Sequence, residues 1–124
     1  MAYPVAILQQ EGYLLASVQS DLSDSEVLEL RDDLANRIGR ERVRGIVVDV
    51  SALDVIDSFV ARALRELAVT AKLRGAETII VGIQPEVAIA MVHFRLNLTP
   101  LRTALDVDEA LALLGTTNVS ADPR

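Results

Sequence analysis

Not one of the 124 residues is cysteine, so a disulfide framework, a thiolate nucleophile and any cysteine-ligated metal centre are excluded from the start. Tryptophan is also missing, and aromatic residues make up only 3% of a chain that is 51% hydrophobic. The core must therefore be aliphatic, and the flat side chains on which unpaired bases stack are scarce. Cations are outnumbered: 12 Lys and Arg stand against 18 Asp and Glu, for a net charge of −6. A phosphate backbone demands a basic footprint, so nucleic acid is not the expected partner. No apolar run approaches the length that spans a bilayer, so no membrane association is expected. The opening Met1-Ala2-Tyr3-Pro4 carries no basic stretch followed by an apolar one, as a secretory signal would, and a cytoplasmic location is expected. The one histidine, His93, has neither cysteine nor a second histidine to join it. Packing or a surface position suits it better than metal binding or catalysis.

What remains is enough for one domain, because a chain of this length buries about two-thirds of the surface exposed when unfolded. Two β-favouring runs, residues 5–8 and 13–18, flank Gln9-Gln10-Glu11-Gly12 and read as a hairpin. Ser23 followed three residues later by Glu26 has the form of a capping box, with Asp24 adding charge to the first turn. Val27, Leu30, Leu34 and Ile38 then recur at helical spacing, and Gly39 is the expected residue just past the helix end. Gly45-Ile46-Val47-Val48 lacks polar alternation, as a strand buried on both faces does. From Ser58 an apolar stripe of Val60, Ala63, Leu64, Leu67, Ala68 and Ala71 predicts a second helix to about Arg74, stopped by Gly75. Residues 77–81 form another strand, and Pro85 opens a third helix to about Arg95. Residues 101–104 suggest a short last strand, and Asp106 with Glu109 caps a final helix. The order β-β-α-β-α-β-α-β-α implies one domain over residues 1–115, with a mixed sheet and about four packed helices. Its class is α/β, or α+β in stricter bookkeeping. Residues 116–124 are polar and aperiodic, and a loose tail is expected there.

Chemistry concentrates in Asp49-Val50-Ser51-Ala52-Leu53-Asp54-Val55-Ile56-Asp57-Ser58-Phe59, which joins the most buried strand to the long helix. Loops at the carboxyl ends of such strands are the usual place of function in open α/β sheets. Ser58 opens a helix, where unpaired N–H groups and the macrodipole favour an anion, so a phosphate there would be accommodated without unfolding. The plainer alternative is that Ser58 or Asp57 is an N-cap, worth about 1 kcal/mol. Asp49, Asp54 and Asp57 open a rival: clustered carboxylates can hold Mg²⁺, and a strand-end aspartate can accept a phosphoryl group, as in response-regulator receivers. Against it, a receiver places an acidic pair after its first strand, whereas residues 5–18 carry only Glu11. At least one of these aspartates is expected to cap a turn. Gly82-Ile83-Gln84-Pro85 is too short and glycine-poor to cradle a phosphate, and reads as a turn into the third helix near Ser58. Arg40, Arg42 and Arg44 suggest a solvated turn. Ser51 and Thr70 have no general base beside them, so no catalytic constellation, and neither cofactor nor metal, is expected.

The segment Val48 through Phe59 resembles the phosphoacceptor segment of STAS domains, where an acidic strand end and short loop lead to Asp-Ser opening a helix. Gly75-Ala76-Glu77-Thr78-Ile79-Ile80-Val81-Gly82-Ile83-Gln84-Pro85 closely resembles the RsbS-type subunits of stressosomes. The likeness runs from the hairpin to the last helix. It implies a non-enzymatic anti-anti-sigma or scaffold protein whose phosphorylated serine falls on Ser58, with Asp49, Asp54, Asp57 and Phe59 in the partner-binding switch loop. The implied partners are an RsbR-like STAS paralogue with a sensor domain, a switch serine/threonine kinase, a phosphoserine phosphatase, and further copies of the chain. A subunit without a sensor domain of its own is the expectation.

Overall fold

A computed structural model describes residues 3–10 and 12–115; the expected loose tail lies outside the described residues. Strands β1 (Val5–Gln10) and β2 (Tyr13–Val18) pair antiparallel, with Ile7 opposite Ala16. Strands β3 (Gly45–Asp49), β4 (Glu77–Val81) and β5 (Arg102–Ala104) then add in parallel, giving one five-stranded mixed sheet in the order β1-β2-β3-β4-β5. Between them run helices α1 (Asp24–Arg40), α2 (Ser58–Leu73) and α3 (Pro85–His93), and α4 (Val107–Leu114) follows β5. This is the mixed α/β domain with an opening hairpin and four helices that the pattern predicts.

Because β2 to β5 lie side by side in chain order, right-handed crossovers place all three connecting helices on the same face. The larger core bears this out. It combines Leu14, Ala16, Ile46, Val48 and Ile80 from the sheet with Leu34 and Ile38 of α1, Leu64 and Leu67 of α2, and Val87 and Met91 of α3. Helix α4 covers the opposite face, where Ala110, Leu111 and Leu114 meet Val47, Ile79 and Val81. It sits tightly: a Cβ added at Gly45 would come within 2.6 Å of the Leu114 side chain. Strand β3 is thus covered on both sides, as its unbroken apolar run requires. Among the described residues no helix is long and apolar enough to cross a membrane.

The helix boundaries show which local signals prevail. The capping box of α1 is formed, Glu26 N–H donating to Ser23 Oγ at 3.2 Å and Ser23 N–H to Glu26 Oε1 at 2.9 Å. Gly39, expected just beyond the helix, is instead inside it: α1 continues to Arg40 and ends at Glu41, whose extended backbone (φ −124°) leads toward β3. No left-handed residue is needed for that exit, so the glycine is not used as one. At α2, Gly75 (φ +87°) does terminate the helix, with Gly75 N–H donating to Lys72 O and Ala76 N–H to Ala71 O. Helix α3 stops at His93, short of the expected Arg95. The same paired bonds close it, Arg95 N–H to Val92 O and Leu96 N–H to Met91 O, with Arg95 itself in the left-handed region at φ 54°.

Two hydroxyls are buried without a hydrogen-bond partner among the described residues, those of Tyr3 and Thr78. Burial pushes the Tyr3 phenol up from its ordinary pKa, and Asp33, Glu29 and Glu26 push the same way. Thr78 is 2% exposed in β4, where its hydroxyl gains nothing for its lost hydration. Thr78→Val should therefore stabilise the domain by about 1 kcal/mol, read as a higher urea midpoint with an unchanged slope.

Candidate functional site

At the carboxyl end of β3 the chain leaves the sheet through a turn. Asp49 Oδ1 accepts from Ser51 N–H at 2.9 Å, and Val50 N–H donates across to Val81 O at 3.0 Å. Val50, Leu53 and Ile56 are buried and peg the loop into the core, while Ser51, Ala52, Asp54, Val55 and Asp57 between them are exposed. Neighbouring connections hold the loop from both sides. Asp54 N–H donates to Asp21 Oδ1 in the β2–α1 connection at 2.9 Å, and Gln84 Nε2 donates to Ser51 O at 2.8 Å. The β4–α3 turn approaches closely at Gly82 (φ +81°), where a Cβ would lie 2.9 Å from Ser51 Cβ. Glycine meets both demands there, the left-handed backbone and the missing side chain.

The loop ends at Asp57, which is the N-cap of α2: its Oδ1 accepts from Val60 N–H at 3.0 Å. Capping thus falls to Asp57 and leaves Ser58 at the first helical position, exposed, with no hydrogen bond to its hydroxyl among the described residues. The first turn of α2 contains no acidic residue, whereas α1 has Asp24 and Glu26, α3 has Glu86, and α4 has Asp108 and Glu109. Beside Ser58 runs a groove of about 500 Å³ between the loop and α3. Val55, Ala90, Phe94 and Leu96 supply its apolar walls; Asp54, Asp57 and Glu86 give it three carboxylates, and no cation lines it. Val55 is 58% exposed and Phe94 76%, so this groove offers uncovered apolar surface next to an open hydroxyl.

The structure divides the residues singled out from the sequence. Asp54, Asp57 and Ser58 line the groove together. Asp49 does not: it borders a separate depression with Gly82, Asp106 and Asp108 near the start of α4. Strand alternation explains this, since Asp49 shares the parity of Val47, which faces α4, while Val48 faces α2. Phe59 is half-buried and does not line the groove. The three aspartates form no cluster fit for a metal ion among the described residues. The receiver alternative also fails on topology. Receivers have the flavodoxin-like order 2-1-3-4-5, whereas here an antiparallel hairpin leads and the order is β1-β2-β3-β4-β5. His93 is exposed, as are Arg40, Arg42 and Arg44 at the far end of the domain. Asp21, Glu86 and Phe94 complete the site, and sequence reasoning missed them. They lie on other elements, and only the proximity inferred for the Gly82 to Pro85 turn pointed in their direction.

Comparison with known proteins agrees with this architecture. The STAS domain model matches residues 4–110. An S58E variant of RsbS from Moorella thermoacetica superposes with a TM-score of 0.78 at 32% identity, covering 93% of this chain and 97% of that one. A chain from the molecular architecture of the stressosome, a signal integration and transduction hub, matches with a TM-score of 0.71 at 30% identity, over 94% of this chain and 100% of that one. Among curated proteins, the RsbT co-antagonist protein RsbRD of Bacillus subtilis is 34% identical over 70 residues, 56% of this chain and 25% of RsbRD. The chain therefore spans about a quarter of that relative's length. With the family match running from the hairpin into the last helix, this chain belongs to the STAS domain family.

Proposed function

We propose that the protein is a non-enzymatic, cytoplasmic scaffold subunit of a stress-signalling assembly, which holds a switch serine/threonine kinase and releases it when Ser58 is phosphorylated. The observation that carries this reading is the Ser58 hydroxyl, exposed and without a bond among the described residues, at the first position of α2 beside an apolar, acid-rimmed groove. Likeness to RsbS and to a stressosome chain supports assembly with further copies and with an RsbR-like STAS paralogue. RsbRD is by name a co-antagonist of RsbT, which supports a shared target for the two kinds of subunit. A phosphoserine phosphatase would return the subunit to its holding state.

The switch is electrostatic. Phosphorylation adds about −1.5 to −2 charges at neutral pH. The start of α2 would stabilise that charge by about 0.3–1 kcal/mol, so the subunit stays folded. A partner covering the groove removes water from Asp54, Asp57 and Glu86 as well as from the phosphate. Like charges about 4 Å apart repel by about 1 kcal/mol in water and about 4 kcal/mol at an effective dielectric of 20. The cost therefore falls on the complex and not on the free subunit.

Incubation with the kinase and ATP should give an acid-stable phosphoserine at Ser58 by mass spectrometry, and Ser58→Ala should abolish it. A label lost in acid, or one that persists in Ser58→Ala, would move the site elsewhere. Ser58→Asp should melt within a few degrees of wild type yet bind the kinase at least tenfold more weakly, a factor of ten being about 1.4 kcal/mol; Ser58→Ala should bind and fail to release. An unfolded Ser58→Asp, or one that binds as wild type does, refutes the mechanism. Sedimentation should show larger species for the protein alone or mixed with its paralogue. Monomers in both cases would point instead to a free anti-anti-sigma factor that captures an anti-sigma kinase directly.

A further inference from the structure

Helix α2 carries one cation within a turn of Ser58, and that is Arg62. Residues four apart on a helix are surface neighbours, about 5–6 Å between Cβ atoms. Helical side chains also tilt toward the N-terminus, so a residue covers the turn preceding its own Cα. At this spacing the Arg62 guanidinium is within reach of the surface over Ser58. It is exposed, and no hydrogen bond or ion pair engages it among the described residues. Its neighbours on α2 already have partners. Glu66, its neighbour one turn on, accepts from Arg31 Nη1 at 2.8 Å, and Arg65 donates to Asn97 O at 3.1 Å.

We infer that Arg62 clamps a phosphate on Ser58, holding it at the first turn of α2 beside the groove. This rests on the reading of Ser58 as the modified residue. The order is the favourable one, the anion N-terminal to the cation at a spacing of four. A planar guanidinium can meet two phosphate oxygens at once. Asp54, Asp57 and Glu86 surround the site with like charge, and Arg62 is the compensating group. The clamp keeps the phosphorylated subunit at rest between release of the kinase and action of the phosphatase, which must detach the phosphate from the arginine to reach it.

The test uses the full chain with phosphoserine genetically encoded at position 58, so no kinase is required. Phosphorus NMR follows the second ionisation of the phosphate in wild type, Arg62→Gln and Arg74→Gln. Arg74→Gln removes the same charge at the far end of α2. Arg62→Gln should raise that pKa by about half a unit or more, Arg74→Gln should leave it unchanged, and unphosphorylated Arg62→Gln should melt as wild type does. No shift in Arg62→Gln, or an equal shift in both variants, overturns the clamp. Failure of the parent reading looks different: the kinase would leave Ser58 unmodified, while the encoded phosphate would still titrate differently in Arg62→Gln.

Discussion

Strand β3 is apolar on both faces because helices cover both faces, and the rest of the molecule is arranged around that burial. A strand so enclosed offers no side chain to solvent along its length, so polar chemistry can begin only where it ends. There the chain must leave the sheet, turn, and start a helix long enough to cover the strand it has left. The turn requires Asp49 to bond Ser51 N–H and the helix start requires Asp57 to cap Val60 N–H. The Ser58 hydroxyl is left without a bond among the described residues, and its availability follows from the assignment of capping to Asp57.

Much of this was legible in the sequence, for identifiable reasons. Capping residues act within three or four positions, so Ser23 with Glu26, Asp106 with Glu109, and Pro85 at the start of α3 could be read locally. The stripe from Ala63 to Ala71 is a periodic signal that needs no tertiary knowledge. Gly39 misled because helix termination by a left-handed residue is one of several exits, and an extended exit at Glu41 serves where the chain runs straight toward β3. At α3 the reverse occurred: an arginine took the left-handed position usually given to glycine, with the next residue, Leu96, partly buried against the core.

The site was legible only in part, because half of it belongs to another helix. Asp57 and Ser58 are neighbours in sequence and in space. Glu86 and Phe94 reach the groove through the β4–α3 crossover, which depends on sheet order. The position of Asp49 could have been read more finely. Counting alternate residues along β3 places it with Gly45 and Val47, toward α4 and away from Ser58. In a STAS domain of this kind, the residues before and after the turn thus look onto different neighbours despite lying close in sequence.

The connections to Asp21 and Gln84 carry a consequence of a different kind. They bond the loop's own backbone, at Asp54 N–H and Ser51 O, while Val50, Leu53 and Ile56 anchor it from beneath. Fixing the backbone of a mobile loop costs about 1–2 kcal/mol for each residue, and in this domain that ordering is completed when the chain folds. Under the proposed role, recognition through the loop would be docking between formed surfaces, with no coupled folding of the loop. Its heat-capacity change would then report the apolar and polar area covered, without a contribution from ordering the loop.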